Sequence, residues 1–187
     1  MKPSFGNTDY SYKTKYLWGC KDSAVQLDYP YLLPIASGKE TTIKGLYNFS
    51  EKYEIKKVGV PTRDYYALLF KTESGDTIYA SRRGSVFRVK DDADLKHENY
   101  SMSSDDNELY VAHLDCSIAR YRVLNQIFVR EGDWVGAGQP IAITGGEKYI
   151  SGTHVRISVY YAYKCLDCGG DNEGRYGYAY VKPKFYL

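Results

Sequence analysis

The amino-acid sequence predicts an all-β fold, and three observations carry that expectation. From about Leu32 onward, short runs rich in Val, Ile, Tyr and Phe alternate with Gly, Asp, Asn and Ser clusters, the pattern of successive strands and turns. Tyrosine occurs 21 times in 187 residues. A ring with a polar tip suits half-buried pleated surfaces, and suits a carbohydrate- or peptide-binding face as well. Finally, no sustained 3.6-residue period supports a long helix.

Taken in order, the first 31 residues are polar and aromatic without a period, and are expected to form an N-terminal arm packed on a domain that spans 32–187. Strands are expected at Tyr65–Lys71, Thr77–Ala80, Gly84–Val89, Glu108–Leu114, Ala119–Leu124, Trp134–Val135, Ile141–Thr144 and His154–Tyr161. The stretch Lys90–Asp106 is acidic and poor in apolar residues, so it reads as an exposed hairpin loop or insertion. Cys116–Arg122 is ambiguous and is also compatible with a short helix.

Composition excludes several classes of function. Charged residues make up 26% of the chain and the formal net charge is +2, so neither sign dominates in the way a nucleic-acid, membrane-surface or polyacidic partner would require. No apolar run reaches the 18 or more residues of a membrane span, and Met1–Gly6 lacks the apolar core of a signal peptide. The chain reads as soluble, with a location in the cell envelope or periplasm if a signal peptide has been removed. Four cysteines are present, Cys20, Cys116, Cys165 and Cys168. The Cys165-x-x-Cys168 pair fits a disulfide, half of a zinc site or unrelated thiols, and a four-cysteine cluster would need Cys20 and Cys116 to converge on it.

The most informative stretch is Val129-Arg130-Glu131-Gly132-Asp133-Trp134-Val135-Gly136-Ala137-Gly138-Gln139-Pro140-Ile141-Ala142-Ile143-Thr144-Gly145-Gly146. It reads as a tight turn, a second glycine turn and an alternating strand ending in paired glycines, where the chain needs positive φ or close strand approach. The segment resembles the "V-x-x-G-D-x-V-x-x-G-Q-x-I-G-x-x-G" signature of the lysostaphin-like (LytM-type) zinc endopeptidases. Gly152-Thr153-His154-Val155-Arg156-Ile157 is similar to that family's "G-P-H-L-H-F" strand. Upstream, Tyr66-Ala67-Leu68-Leu69-Phe70, Gly75–Ala80 and Gly84-Ser85-Val86 resemble "Y-A-x-D-F … G-T-x-V-x-A … G-x-V". Asn107–His113 followed by Tyr121-Arg122-Val123-Leu124 resembles "N-x-V-x-I-x-H" and "Y-x-H-L", and the tail Val181–Leu187 is similar to a common family ending. The resemblance covers roughly residues 32–187. It implies a small antiparallel β-sandwich, or barrel-sandwich hybrid, of the lysostaphin-like peptidase type.

What the resemblance implies for chemistry is mostly a set of losses. In the family, a histidine, an aspartate and the second histidine of H-x-H hold zinc, and a water in the open position is activated for attack on a peptide carbonyl. The aspartate position falls on Leu69, the second H-x-H histidine on Arg156, and the assisting "Y-x-H-L" histidine on Val123. No histidine precedes His97, so the first ligand has no counterpart. His154, the non-ligand histidine of H-x-H, survives, and His113 matches a strand position outside the usual ligand set. No catalytic residue, metal or cofactor is therefore expected; zinc with His154 as one ligand is the alternative. The vestigial groove is expected to comprise His154, Arg156, Leu69, Val123 and His113, with Arg156 near the old metal position, available to a carboxylate. A module that binds peptidoglycan peptide or a partner cell-wall hydrolase follows; an active zinc endopeptidase with atypical ligands is the rival. A carrier domain shares the glycine turn, but Lys148 follows that turn rather than sitting at a hairpin tip.

Overall fold

In the computed structural model, residues 25–26, 28–47, 66–93, 106–164 and 176–186 are described. They form twelve strands and, among the described residues, no helix. The strands are β1 (Pro30–Leu32), β2 (Ile43–Tyr47), β3 (Tyr66–Lys71), β4 (Thr77–Tyr79), β5 (Gly84–Lys90), β6 (Asn107–Ala112), β7 (Ile118–Ile127), β8 (Trp134–Val135), β9 (Pro140–Thr144), β10 (His154–Lys164), β11 (Tyr176–Val181) and β12 (Lys184–Tyr186). All eight expected strands are present, and the fold is the antiparallel all-β fold of the lysostaphin-like type, with a main sheet that is not closed on itself. Cys116–Arg122 is a correction: its second half opens β7 in a ten-residue strand, because the alternation Ile118, Arg120, Arg122 against Ala119, Tyr121 is a two-residue period with one apolar face.

The main sheet runs β2-β3-β10-β7-β6-β5-β8, with β11 on β10 and the β4–β9 pair joined through β7. Alternate residues of the central strands, Leu68 and Phe70, Leu109 and Val111, Ala119 and Tyr121, Val155, Ile157 and Val159, share one buried apolar cluster. Removing each large side chain from water contributes about 1.5–3 kcal/mol, so this face holds the sheet together. Gly84 shows how tightly β5 meets β6, since a Cβ there would lie 2.4 Å from the Ala112 carbonyl oxygen.

The expected arm boundary falls inside β1, which pairs in parallel with β12 in the register Tyr31 to Phe185. Tyr31 is buried in the core cluster, Tyr29 stacks on the Arg82 guanidinium, 3.6 Å from its ring centre, and the Gln26 amide donates to Asp115. Cys116 is disulfide-bonded. The expectations for Cys20, Cys165, Cys168 and His97, and for most of the Lys90–Asp106 loop, lie outside the described residues. Among those residues, no helix is long and apolar enough to cross a membrane.

Candidate functional site

The residues of β3, β6, β7 and β10 that do not face the apolar core point to the opposite side of the sheet, because side chains alternate along a strand. Among them are Leu69, Glu108, Tyr110, Arg120, Arg122, His154 and Arg156. Arg156 lies directly across from Leu69 on β3 and from Arg122 on β7. Three of the five residues singled out in the sequence, Leu69, His154 and Arg156, thus meet at one spot.

Val123 joins them from β7 in an uncommon way. Its φ is 65°, a left-handed conformation that costs a β-branched residue of order 1–3 kcal/mol. The kink falls at the register shift in the β6–β7 pairing, where Asn107 pairs with Leu124 and Glu108 with Arg122, so that Val123 is the extra residue. Gly145 donates to the Val123 carbonyl at 2.9 Å, and a Cβ on Gly146 would sit 2.9 Å from Val123 Cγ1 and 3.1 Å from His154 Nδ1. Only glycine fits at 146, which explains the paired glycines after β9. His113, by contrast, belongs to a different constellation. Its Nδ1 donates to the Arg83 carbonyl at 2.9 Å and its ring meets Tyr31 of β1 edge-on.

His154 is fully buried and both of its nitrogens are engaged. A carbonyl can only accept, so the 2.5 Å contact to Gly152 O fixes the proton on Nδ1. Nε2 then carries the lone pair, and it accepts from Arg156 Nε at 3.0 Å. Burial, together with the nearby charges of Arg156 and Lys71, pulls the imidazole pKa down to about 4, so the ring is neutral at pH 7. Ser151 Oγ lies 3.3 Å from Nδ1, yet this is no nucleophilic pair: the nitrogen facing the hydroxyl already donates elsewhere, and a guanidinium occupies the other.

Sequence reasoning missed the groups that complete the site. Tyr149 turns inward from the segment between β9 and β10, with Arg156 4.7 Å above its ring centre and the His154 ring perpendicular to it at 5.1 Å. Its hydroxyl donates to the Asp106 carboxylate. Arg122 pairs with Asp106 at 2.9 Å and with Glu108 at 3.1 Å, and Arg120 also binds Glu108. The second contact and the Asp106 oxygen facing Arg122 are ion pairs without linear hydrogen-bond geometry. Burial works to raise the Glu108 carboxyl, but hydrogen bonds from Arg120 and Tyr110 outweigh it and hold the group below its ordinary value. The available signal was period-two charge, Glu108 with Tyr110 and Arg120 with Arg122, inside strands whose other residues are apolar.

These side chains do not fit a zinc ion. Leu69 offers no lone pair, Arg156 brings a fixed positive charge, and the His154 lone pair is taken. Among the described residues, no three His, Cys, Asp or Glu side chains are grouped to hold a metal. Arg156 is also only 3% exposed, so it does not stand open in a groove as the sequence suggested.

An open antiparallel sheet with a glycine-buttressed H-x-R strand across from a Y-A-x-L-F strand defines a metallopeptidase-type scaffold. The model of peptidase family M23 matches residues 63–168, and the chain belongs to that family. Among solved structures, it is similar to a point mutant of the catalytic domain of the prophage-encoded M23 protein EnpA from Enterococcus faecalis, at 18% identity over 81% of this chain and 94% of that one, with a TM-score of 0.50. A structure of the SpoIIIAH and SpoIIQ complex matches at 18% identity over 78% and 94%, with a TM-score of 0.50. The antimicrobial peptidase lysostaphin from Staphylococcus simulans matches at 20% identity over 51% and 36%, with a TM-score of 0.40. The chain spans only 36% of that structure and 37% of a zinc-containing peptidase from Vibrio cholerae. Comparison with curated protein sequences gave no match.

Proposed function

We propose that this chain is a catalytically inactive M23 relative that serves the cell envelope as a binding or regulatory module, contacting peptidoglycan peptide or a partner cell-wall hydrolase. The observation that carries this reading is the 3.0 Å bond from Arg156 Nε to His154 Nε2. It engages the His154 lone pair, which at this site could otherwise ligate a metal or take a proton from water. A hydrolytic mechanism needs one or the other. The disulfide at Cys116 supports an oxidising compartment, where such bonds persist. A relative of similar fold crystallised as a complex of two proteins supports use of this scaffold for partner binding. The N-terminal arm belongs to the same unit in this reading, anchored by Tyr31 and Tyr29.

The test is metal analysis of the purified chain together with digestion of cell-wall peptide, with and without added Zn2+. The expected result is less than stoichiometric zinc and no released fragments, with retention of the chain on insoluble peptidoglycan or on a cell-wall hydrolase. One tightly held zinc per chain with peptide cleavage would establish the active-enzyme alternative instead.

A further inference from the structure

We infer that the displaced metal site has become a metal-independent lock, with Tyr149 as its pin, that holds the 145–153 segment shut over the sheet. The inference rests on the non-catalytic reading above and adds to it what the site now does.

Tyr149 is 8% exposed although its neighbour Ile150 is 72% exposed. Tyr149 is therefore turned in between the exposed residues Glu147, Lys148 and Ile150, and it touches three of the site's groups: the Asp106 carboxylate, the His154 ring and the Arg156 guanidinium. Asp106 continues the chain to Arg122, and Glu108 ties Arg122 to Arg120. A polar network thus runs without a break from the Gly152 carbonyl on the segment, through β10, to the start of β6 and across β7.

The register shows why the network is needed. Arg156 and Arg122 face each other on paired strands, an arrangement of like charges that destabilises a sheet unless each is compensated. Arg122 is compensated by Asp106 and Glu108. Arg156 is spread over an aromatic face and a neutral imidazole, and Tyr149 links that half to Asp106. A divalent cation entering here would meet two guanidinium groups, so the lock and metal binding are mutually exclusive.

The experiment uses the full chain and two variants, Tyr149→Phe and Arg156→Met, followed by hydrogen exchange of the 145–153 amides and by thermal unfolding with EDTA or added Zn2+. The expected result is a wild-type Tm indifferent to EDTA and Zn2+, and segment amides that exchange roughly tenfold faster in Tyr149→Phe, where a single hydroxyl is lost and Asp106 gives up a buried donor. If Arg156→Met does not fold, Tyr149→Phe decides alone. Unchanged exchange in Tyr149→Phe, with a wild type still indifferent to metal, would overturn the lock and leave the non-catalytic reading intact. A wild-type Tm that rises with Zn2+ and falls with EDTA would overturn both.

Discussion

The two faces of the central strands were built to different rules although they share the same backbone. On the inner face, Leu68, Phe70, Leu109, Val111, Tyr121, Val155 and Ile157 form one apolar cluster in which any residue of suitable volume serves. On the outer face, Glu108, Arg120, Arg122, His154 and Arg156 join a polar network in which each group answers a particular neighbour, beside a small apolar cluster of Tyr110, Ile118 and Tyr160. The difference teaches that this scaffold is specified by one face only. The other face can carry leucine, histidine and arginine side by side without disturbing strand order, because strand order is set by the apolar alternation.

The sharpest way to break that comparison is to put the same carboxylate on either face of β3. Phe70→Asp places an unpaired charge in a fully buried apolar site and removes a large ring, a loss above about 5 kcal/mol that leaves the chain unfolded. Leu69→Asp, one residue earlier, puts the carboxylate across from Arg156, where an ion pair compensates much of its desolvation. It is expected to cost only about 1–4 kcal/mol and to keep the folded circular dichroism spectrum. It also restores the residue type of a family ligand, yet it should gain no zinc, because Arg156 captures it. Equal loss of structure in both variants would erase the distinction between the faces.

Acid separates the faces next. His154 on the outer face and His113 beside β1 are both buried, and burial holds both pKa values at about 4, below the ordinary 6.5. The unfolded chain takes up protons first as pH falls, so stability is independent of these two groups above pH 6.5 and declines between 6.5 and 4. The decline amounts to about 2 kcal/mol per histidine by pH 5. Glu108 and Asp115, held below their ordinary range, lose their contribution only at lower pH, as they protonate. Urea midpoints measured from pH 8 to pH 4 check this, and His113→Gln should flatten about half of the upper part of the slope. A curve that stays level down to pH 5 would contradict the buried, neutral assignment of both rings.

How much of this was legible in the sequence follows from the same division. The apolar alternation and the glycine turns revealed all eight expected strands and the family, because those signals are local. β1, β2, β11 and β12 went unseen: Pro30–Leu32 and Lys184–Tyr186 are three residues each, and their pairing with one another spans the whole chain. At the site, matching motif positions one by one singled out Leu69, Arg156, Val123 and His154, which lie together in the fold. Tyr149 and Asp106 could not be found in that way. They are far apart in sequence, neither occupies a motif position, and what joins them is a hydroxyl meeting a carboxylate across the fold.

The smallest expected effect concerns the one residue that belongs to both rules. Val123 is 3% exposed, so removing its side chain forfeits buried apolar contact, as at any core valine. It also holds φ at 65°, where a branched Cβ is strained and glycine is not. In Val123→Gly these terms have opposite signs and similar size, and the net change should lie within about 1 kcal/mol. Val111, equally buried on the inner face and in a regular strand, has no strain to release, so Val111→Gly should cost about 2–4 kcal/mol. Chemical denaturation of the two variants measures the difference directly. Equal losses would mean that the left-handed turn in β7 carries no strain, and that the kink at this family position is held by packing alone.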